Sequence, residues 1–359
     1  MVQTKSNVDD KVVILNNRPS NGGIGQYSLN IYENMINLAA QNLLIEYNTF
    51  REHRFIPPFS ALDFFNYRKK IHQLKNSYKI FHAASPGILS HMIKNFKNIR
   101  IVTVHDVYLK EQRNSIISNI LERFLDETPN MNAIIFVSKF TAERYKEVYN
   151  WHGKSTIIHY GIDHLKFAYR DKYMARFALG LPQEKKIIIY VGDTLQRKNI
   201  NTLFKVYSKI SNLFGSKVMF LFIGGDSNII QSLSKRYEIH NLIHKSDVPY
   251  EVIPSYFNSA DLMIYPSSYE GFGLPALEAM ASGIPLISSN SSSLSEVVNY
   301  GGILVNPFDI DAYFDYSVLI LEDKNEQENL AKRAVKRSKD FSWRNAAIDT
   351  LNFYGTLLD

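Results

Sequence analysis

Short apolar runs alternate with longer amphipathic segments along most of this 359-residue chain. The runs are rich in Val, Ile and Leu and predict buried strands, while the segments between them have helical spacing. Strands that alternate with helices indicate parallel sheets covered on both faces. The strands fall into two series, which predict two doubly wound α/β domains with a ligand cleft between them. We expect the strands at 11–15, 43–47, 79–83, 100–105, 133–137, 156–159, 187–191, 218–223, 242–244, 262–265, 285–288 and 303–305.

The composition narrows the class of protein. With 45% hydrophobic residues, the chain can bury a large core. No apolar run approaches the roughly 18 to 20 residues of a membrane-spanning helix, and the first ten residues lack the apolar centre of a signal peptide. We therefore expect a cytoplasmic protein. The absence of cysteine excludes disulfides and thiolate metal sites, and the net charge of +6 fits anionic partners such as nucleotides or an anionic membrane surface.

The segment Glu270–Glu278, Glu-Gly-Phe-Gly-Leu-Pro-Ala-Leu-Glu, has the features of a phosphate-binding turn between a strand and a helix. Its glycines let the backbone approach a ligand, and Pro275 suits the first helical position. The amides at 272–276 would form a donor-rich helix start that favours a diphosphate. Two carboxylates beside that anion need hydroxyl partners, so Glu270 and Glu278 predict a nucleotide sugar as ligand.

A second candidate anion site follows the strand at 187–191 and Gly192. Arg197 and Lys198 lie there next to each other, just before a helix. Adjacent cations repel each other unless an anion lies beside them, and a diphosphate would supply that anion. A solvated Arg-Lys pair is the alternative.

Two further motifs lie at predicted strand ends. Gly22, Gly23 and Gly25 form a glycine-rich loop after the first strand, which is either a ligand-binding loop or a tight turn. His105 and Asp106 end the strand at 100–105, where open α/β sheets place their ligand crevice. A histidine satisfied by neighbouring protein groups is the alternative for His105.

Together these motifs resemble the family-4 retaining glycosyltransferases of the GT-B fold, which have two Rossmann-like domains facing a central cleft. Two departures stand out: Asp193 replaces an Arg found in many members, and Tyr160 replaces the usual Asn. The resemblance implies catalytic roles for Arg197, Lys198, Glu270 and His105, and donor binding by Gly23, Gly192, Phe272, Gly273, Leu274 and Glu278.

The resemblance also implies the domain organisation. Residues 1–163 would form the acceptor-side domain, completed by a crossing helix at 343–359. Residues 164–342 would form the nucleotide-sugar-binding domain, with an interdomain linker running through Pro182. The implied reaction moves a hexose to a hydroxyl of a glycan or lipid-linked acceptor, without a metal, a cofactor or nucleic acid. GDP-mannose is the favoured donor, followed by UDP-glucose or UDP-N-acetylglucosamine.

Several alternatives stay open at this point. Asp193 motivates a catalytically weak protein that binds a nucleotide sugar and a partner, and a nucleotide-sugar 2-epimerase would use the same fold. The basic, partly amphipathic segment at 61–79 is either a membrane-surface contact or a helix with one core face. Asp309, in an Asp-x-Asp sequence, is read as a helix N-cap rather than a metal ligand.

Overall fold

A computed structural model describes residues 10–16, 22–38, 43–49, 69–91, 97–108 and 125–358. The chain divides into two compact units: Met1–Gly161 with Ser342–Asp359 form unit 1, and Ile162–Phe341 form unit 2. The candidate membrane segment at 61–79 lies partly outside the described residues, since 61–68 are not among them. Within the described ranges, no helix has both the length and the apolar character needed to span a bilayer.

Every predicted strand is present in the described part of the chain, and all pair in parallel. The sheet of unit 1 has the order β2-β1-β3-β4-β5-β6, and that of unit 2 has the order β12-β11-β10-β7-β8-β9. The strands are β1 (Asp10–Asn16), β2 (Leu43–Thr49), β3 (Ile80–Ala83), β4 (Ile99–Val104), β5 (Ala133–Phe136), β6 (Lys154–Ile157), β7 (Lys186–Val191), β8 (Val218–Ile223), β9 (Leu242–Lys245), β10 (Leu262–Tyr265), β11 (Leu286–Ser289) and β12 (Ile303–Val305).

Helices follow most strands, and short polar side chains cap several of them. Ser138, Asp226 and Asp309 each accept a hydrogen bond from an amide in the first turn of the following helix, so the predicted N-cap at Asp309 is confirmed. The helices are α1 (Gly23–Leu38), α2 (Lys139–Tyr149), α3 (Lys172–Leu179), α4 (Ile200–Phe214), α5 (Ser227–Arg236), α6 (Ile253–Ser259), α7 (Leu274–Ala281), α8 (Ser293–Val298), α9 (Ile310–Glu322), α10 (Lys324–Ser338) and α11 (Trp343–Leu358).

Two details differ from the sequence prediction. Strand β6 lies two residues earlier than expected, at Lys154–Ile157. The segment predicted as a linker through Pro182 contains helix α3, which Asp171 caps at its start and Gly180 ends. Arg176 of this helix is buried and paired with Asp261, so the segment is fixed to unit 2 instead of running free as a linker.

The strand order explains how the candidate residues meet. Strands β7 and β10 are neighbours in unit 2, so the loops after Val191 and Tyr265 leave the same edge of the sheet side by side. Ser268 joins these loops, because its amide and its hydroxyl both donate to the Arg197 carbonyl, at 2.8 and 3.0 Å. In unit 1, β3 and β4 are neighbours in the same way and carry Ala84 and His105 at their ends.

Candidate active site

The paired loops of unit 2 bring Arg197, Lys198 and Glu270 together. Glu270 Oε1 accepts hydrogen bonds from Lys198 Nζ at 2.6 Å and from the Tyr265 hydroxyl at 2.7 Å. Glu270 Oε2 accepts a hydrogen bond from Arg197 Nη1 at 3.0 Å. We call these four residues the Glu270 cluster. The sequence predicted a ligand diphosphate as the anion beside the two cations. In the structure, the Glu270 carboxylate lies in that position.

The Glu270 cluster carries more positive than negative charge in a buried place. Lys198 and Glu270 are buried, and Arg197 is largely so. Burial alone would raise the pKa of Glu270, but Lys198 and Arg197 outweigh it and hold that pKa below its ordinary value. One carboxylate therefore faces two cations. Two adjacent cations that share one carboxylate suit an anionic ligand, which Arg can bind through two donors and Lys as a point charge.

The hydrogen-bond donors of the cluster point to the same conclusion. Lys198 uses two of its three ammonium donors within the protein, on Glu270 and on the Tyr265 hydroxyl at 3.1 Å. Burial and the Glu270 charge raise the pKa of Tyr265 well above its ordinary value, so Tyr265 stays a donor. Ser292 and Ser293 fix the backbone of Glu270: the Ser292 hydroxyl accepts from its amide and the Ser293 hydroxyl donates to its carbonyl.

Helix α7 begins four residues after Glu270. Its N-cap Gly273 has φ +95°, and a Cβ there would lie 2.5 Å from Leu294 Cδ2, so glycine is required. Pro275 is the second helical residue, one position later than predicted, because the helix already begins at Leu274. Phe272 is buried edge-on against Phe341. The start of α7 thus offers the Leu274 amide and the positive end of its dipole, whereas the Ala276 amide, which the sequence predicted as a free donor, already donates to the Gly273 carbonyl at 3.0 Å.

The second predicted carboxylate, Glu278, has the opposite electrostatic environment. Its Oε1 accepts a hydrogen bond from the Tyr250 hydroxyl at 2.8 Å, and Lys166 Nζ lies 3.9 Å from the centre of the Tyr250 ring. Burial raises the pKa of Glu278 from 4.5 to about 8, although Tyr250 and Lys166 oppose the rise. The two glutamates therefore differ in the unliganded protein at neutral pH: Glu270 is ionised and Glu278 is protonated.

Glu278→Gln is expected to remove a pH dependence from stability. The native state holds one more proton than the unfolded chain between the unfolded pKa near 4.5 and the native pKa near 8. The free energy of unfolding therefore falls as pH rises through this window, by up to about 1.4 kcal/mol per pH unit, and levels off above it. Urea unfolding of both proteins from pH 5 to 8 measures the difference; parallel curves would contradict the raised pKa.

In unit 1, His105 lies buried at the end of β4 with both ring nitrogens bonded to the protein. Its Nε2 donates to the Ala84 carbonyl at 2.6 Å, which leaves Nδ1 to accept from the Tyr160 hydroxyl at 2.5 Å. The Tyr27 ring stacks on the Tyr160 ring, with 5.1 Å between their centres, and the centre of the Trp343 ring lies 5.7 Å from that of Tyr160. Tyr160, the departure from the family pattern, thus fixes the neutral tautomer of His105.

A buried chain of hydrogen bonds runs beside His105. The Tyr354 hydroxyl meets His82 Nδ1 at 2.6 Å, and His82 Nε2 meets Thr103 Oγ1 at 2.7 Å. Thr103 then contacts the Tyr27 hydroxyl at 3.1 Å. Burial lowers the pKa of His82 to about 3, with His105 adding to the effect, and raises that of Tyr27 to about 12. This uncharged chain ties helix α11 to β3, β4 and α1.

The two predicted donor-binding glycines Gly23 and Gly192 differ in whether the surrounding atoms leave room for a side chain. A Cβ on Gly23, the first residue of α1, would meet no atom of the described residues within 4 Å, so those residues do not demand glycine there. At Gly192 a Cβ would lie 2.8 Å from the Tyr190 hydroxyl oxygen, so packing alone accounts for it. Asp193 accepts a hydrogen bond from the Leu195 amide and thereby shapes the turn that leads to Arg197.

The structure therefore groups the predicted residues within each unit. Arg197, Lys198 and Glu270 meet directly, and the first turn of α7 follows them, while His105 belongs to the separate cluster of unit 1. The sequence did not predict that Tyr265 would bond to Glu270 or Tyr250 to Glu278.

Among the described residues, no group of three or more His, Asp or Glu side chains is placed to hold a metal ion, and metal independence stays a prediction.

Comparisons with known proteins agree with the fold. Residues 171–337 match the family model described as glycosyl transferases group 1, and residues 38–165 match that of glycosyltransferase family 4. O-antigen chain mannosyltransferase B of Escherichia coli is 28% identical over 294 residues, which are 77% of this chain and 74% of the relative.

Solved structures cover nearly the whole chain. Sucrose-phosphate synthase from Thermosynechococcus elongatus superposes with a TM-score of 0.81 at 22% identity, covering 97% of this chain and 99% of the other. HepE of Anabaena, solved in complex with UDP and glucose, gives 0.78 at 16% identity, covering 97% and 100%. The predicted GT-B fold is confirmed, and the two family matches, with the named relative, show that the chain is a glycosyltransferase.

Proposed function

We propose that the enzyme transfers a hexose from a nucleotide-diphosphate sugar to a hydroxyl of a glycan or lipid-linked acceptor, with retention of configuration and without a metal ion. The observation that carries this proposal is the buried Glu270 cluster, whose excess positive charge lies just before helix α7. GDP-mannose is the favoured donor, because the Escherichia coli relative is a mannosyltransferase. HepE, solved with UDP and glucose, supports UDP-glucose as the second choice.

The cluster suits the charge that develops during transfer. As the bond between the sugar C1 and the diphosphate oxygen breaks, negative charge grows on the leaving group. Arg197, Lys198 and the amides of 272–274 would stabilise that charge by hydrogen bonds that are already oriented. The third ammonium donor of Lys198 is available for this purpose.

The carboxylates would hold the sugar and the ribose. Glu270, kept ionised by its cations, would accept hydrogen bonds from sugar hydroxyls near the cationic ring, and Glu278 from the ribose. His105 would reach the sugar or the acceptor by exchanging one of its two protein hydrogen bonds. The acceptor oxygen would attack C1 from the face that the diphosphate leaves, and its proton would pass to a leaving phosphate oxygen. The products are a glycoside and a nucleoside diphosphate.

Thermal unfolding with GDP, UDP, ADP and their sugars, in EDTA, tests the donor site. We expect one nucleotide series to raise the midpoint, since a ligand at 100 times its dissociation constant stabilises the folded state by about 2.7 kcal/mol. Glu278→Ala should weaken this shift, because it removes the side chain that would bind the ribose. No shift with any nucleotide would refute the donor site, and release of a free epimer without acceptor would identify an epimerase instead.

A further inference from the structure

A cavity of about 450 Å³ opens in unit 2 beside the 192–199 loop. It lies between Thr194, the first turn of α4, helix α5 and Phe308. Its volume falls in the range of about 300 to 1,000 Å³ that is typical of small-molecule sites. No member of the Glu270 cluster lines it, so it is separate from the diphosphate site.

Part of the cavity wall is apolar and accessible. Ile200 and Leu233 are buried, whereas Ile229 and Phe308 are exposed. Phe308 is 66% exposed, although it directly follows the buried Pro307. Single exposed hydrophobic residues are common on protein surfaces, but here two flank one cavity, which is the arrangement of a binding site.

The remaining lining consists of hydroxyl and amide side chains and contains no charged residue. Thr194 Oγ1 accepts from the Asp226 amide, so its own hydrogen can still be donated. Gln196 and Asn201 are exposed amides that offer both donors and acceptors. Ser268 donates to the Arg197 carbonyl and keeps lone pairs for a ligand.

We propose that this cavity binds a neutral oligosaccharide at a site distinct from that of the nucleotide-diphosphate sugar. The lining contains no charged side chain to pair with a phosphate or a carboxylate. The C–H face of a pyranose ring would pack on Phe308, since the face of an aromatic ring is negative and sugar C–H groups are weakly positive. The sugar hydroxyls would meet Thr194, Gln196 and Asn201. The inference does not depend on which donor the enzyme uses.

Titration of the full chain with linear neutral trisaccharides, namely mannotriose, maltotriose and chitotriose, tests the site by saturation-transfer-difference NMR. We expect one of them to bind saturably to the wild type. Phe308→Ala should weaken it about tenfold, because stacking on an aromatic ring contributes up to about 1.5 kcal/mol. Ile229→Arg should abolish binding by filling the mouth of the cavity. Tyr316→Ala is the matched control, since this exposed aromatic on α9 does not line the cavity.

Thermal shifts with GDP and UDP in the same variants separate this inference from the proposed function. Each variant should keep the wild-type nucleotide shift, which also shows that it is folded. The proposal is overturned if no trisaccharide binds the wild type, or if Phe308→Ala and Ile229→Arg bind as the wild type does. Competition of the bound trisaccharide by GDP or UDP would also overturn it, because the saccharide would then occupy the donor site.

Discussion

In Glu270→Gln, we expect sugar transfer to fall about 100- to 1,000-fold while GDP or UDP stabilises the variant at least as much as the wild type. The amide keeps the size of the side chain but removes the only carboxylate that Arg197 and Lys198 contact in the cluster. Without nucleotide, the variant should unfold at a lower temperature, because the buried Lys198 ammonium loses its counter-charge. A bound diphosphate would replace that charge. We therefore expect Glu270→Gln to bind the nucleotide but to transfer sugar slowly.

Lys198→Met is the matched comparison for Glu270→Gln. It removes one of the two cations and leaves Glu270 with Arg197 and the Tyr265 hydroxyl. Nucleotide binding and transfer should therefore decline together in this variant. Initial rates at saturating acceptor and nucleotide-dependent melting of both variants measure the two effects. If Glu270→Gln loses nucleotide binding as Lys198→Met does, Glu270 acts in donor binding and not in the transfer step.

The sequence was sufficient to predict the two sheets, because short β-branched runs between glycine-rich or polar turns are typical of buried strands and too short for most helices. The resemblance to family-4 glycosyltransferases implied that Arg197 and Glu270 act together. Both follow strands of one parallel sheet, and the carboxyl ends of such strands meet at one edge. The neighbouring order of β7 and β10 then brings the residues into contact.

The side-chain partners of Glu270 and His105 could not be predicted from the sequence, because they depend on the geometry of the folded chain. Tyr265 ends a buried strand, and only the turn at 266–269 brings its hydroxyl back to the carboxylate of Glu270. Tyr160 stood out as an unusual residue, but its bond to His105 spans 55 positions of sequence. No sequence pattern predicts that Glu278 is protonated at neutral pH, since its raised pKa results from burial in the folded protein.

Helix α3 was not predicted from the sequence either, and it carries a buried ion pair that stabilises unit 2. Arg176 is 3% exposed and donates to the carbonyls of Ser259, Gln183 and Lys185 as well as to Asp261 Oδ2 at 2.6 Å. Asp261 Oδ2 also accepts from the Ile187 amide at 2.7 Å. This pair therefore fixes the starts of β7 and β10, whose opposite ends carry the Glu270 cluster.

Arg176→Met is expected to lower the free energy of unfolding by about 3 to 5 kcal/mol, because it leaves the buried Asp261 carboxylate without its main counter-charge. Lys172→Met removes the other cation on Asp261 but should cost less than about 1 kcal/mol, since the Lys172 side chain is 44% exposed. Urea unfolding followed by far-UV circular dichroism measures both, because Trp151 and Trp343 both lie in unit 1 and do not report on unit 2. Equal losses in the two variants would show that burial does not set the strength of this contact. Folded Arg176→Met should still be stabilised by the nucleotide, because the substitution lies at the opposite ends of β7 and β10 from Arg197 and Glu270.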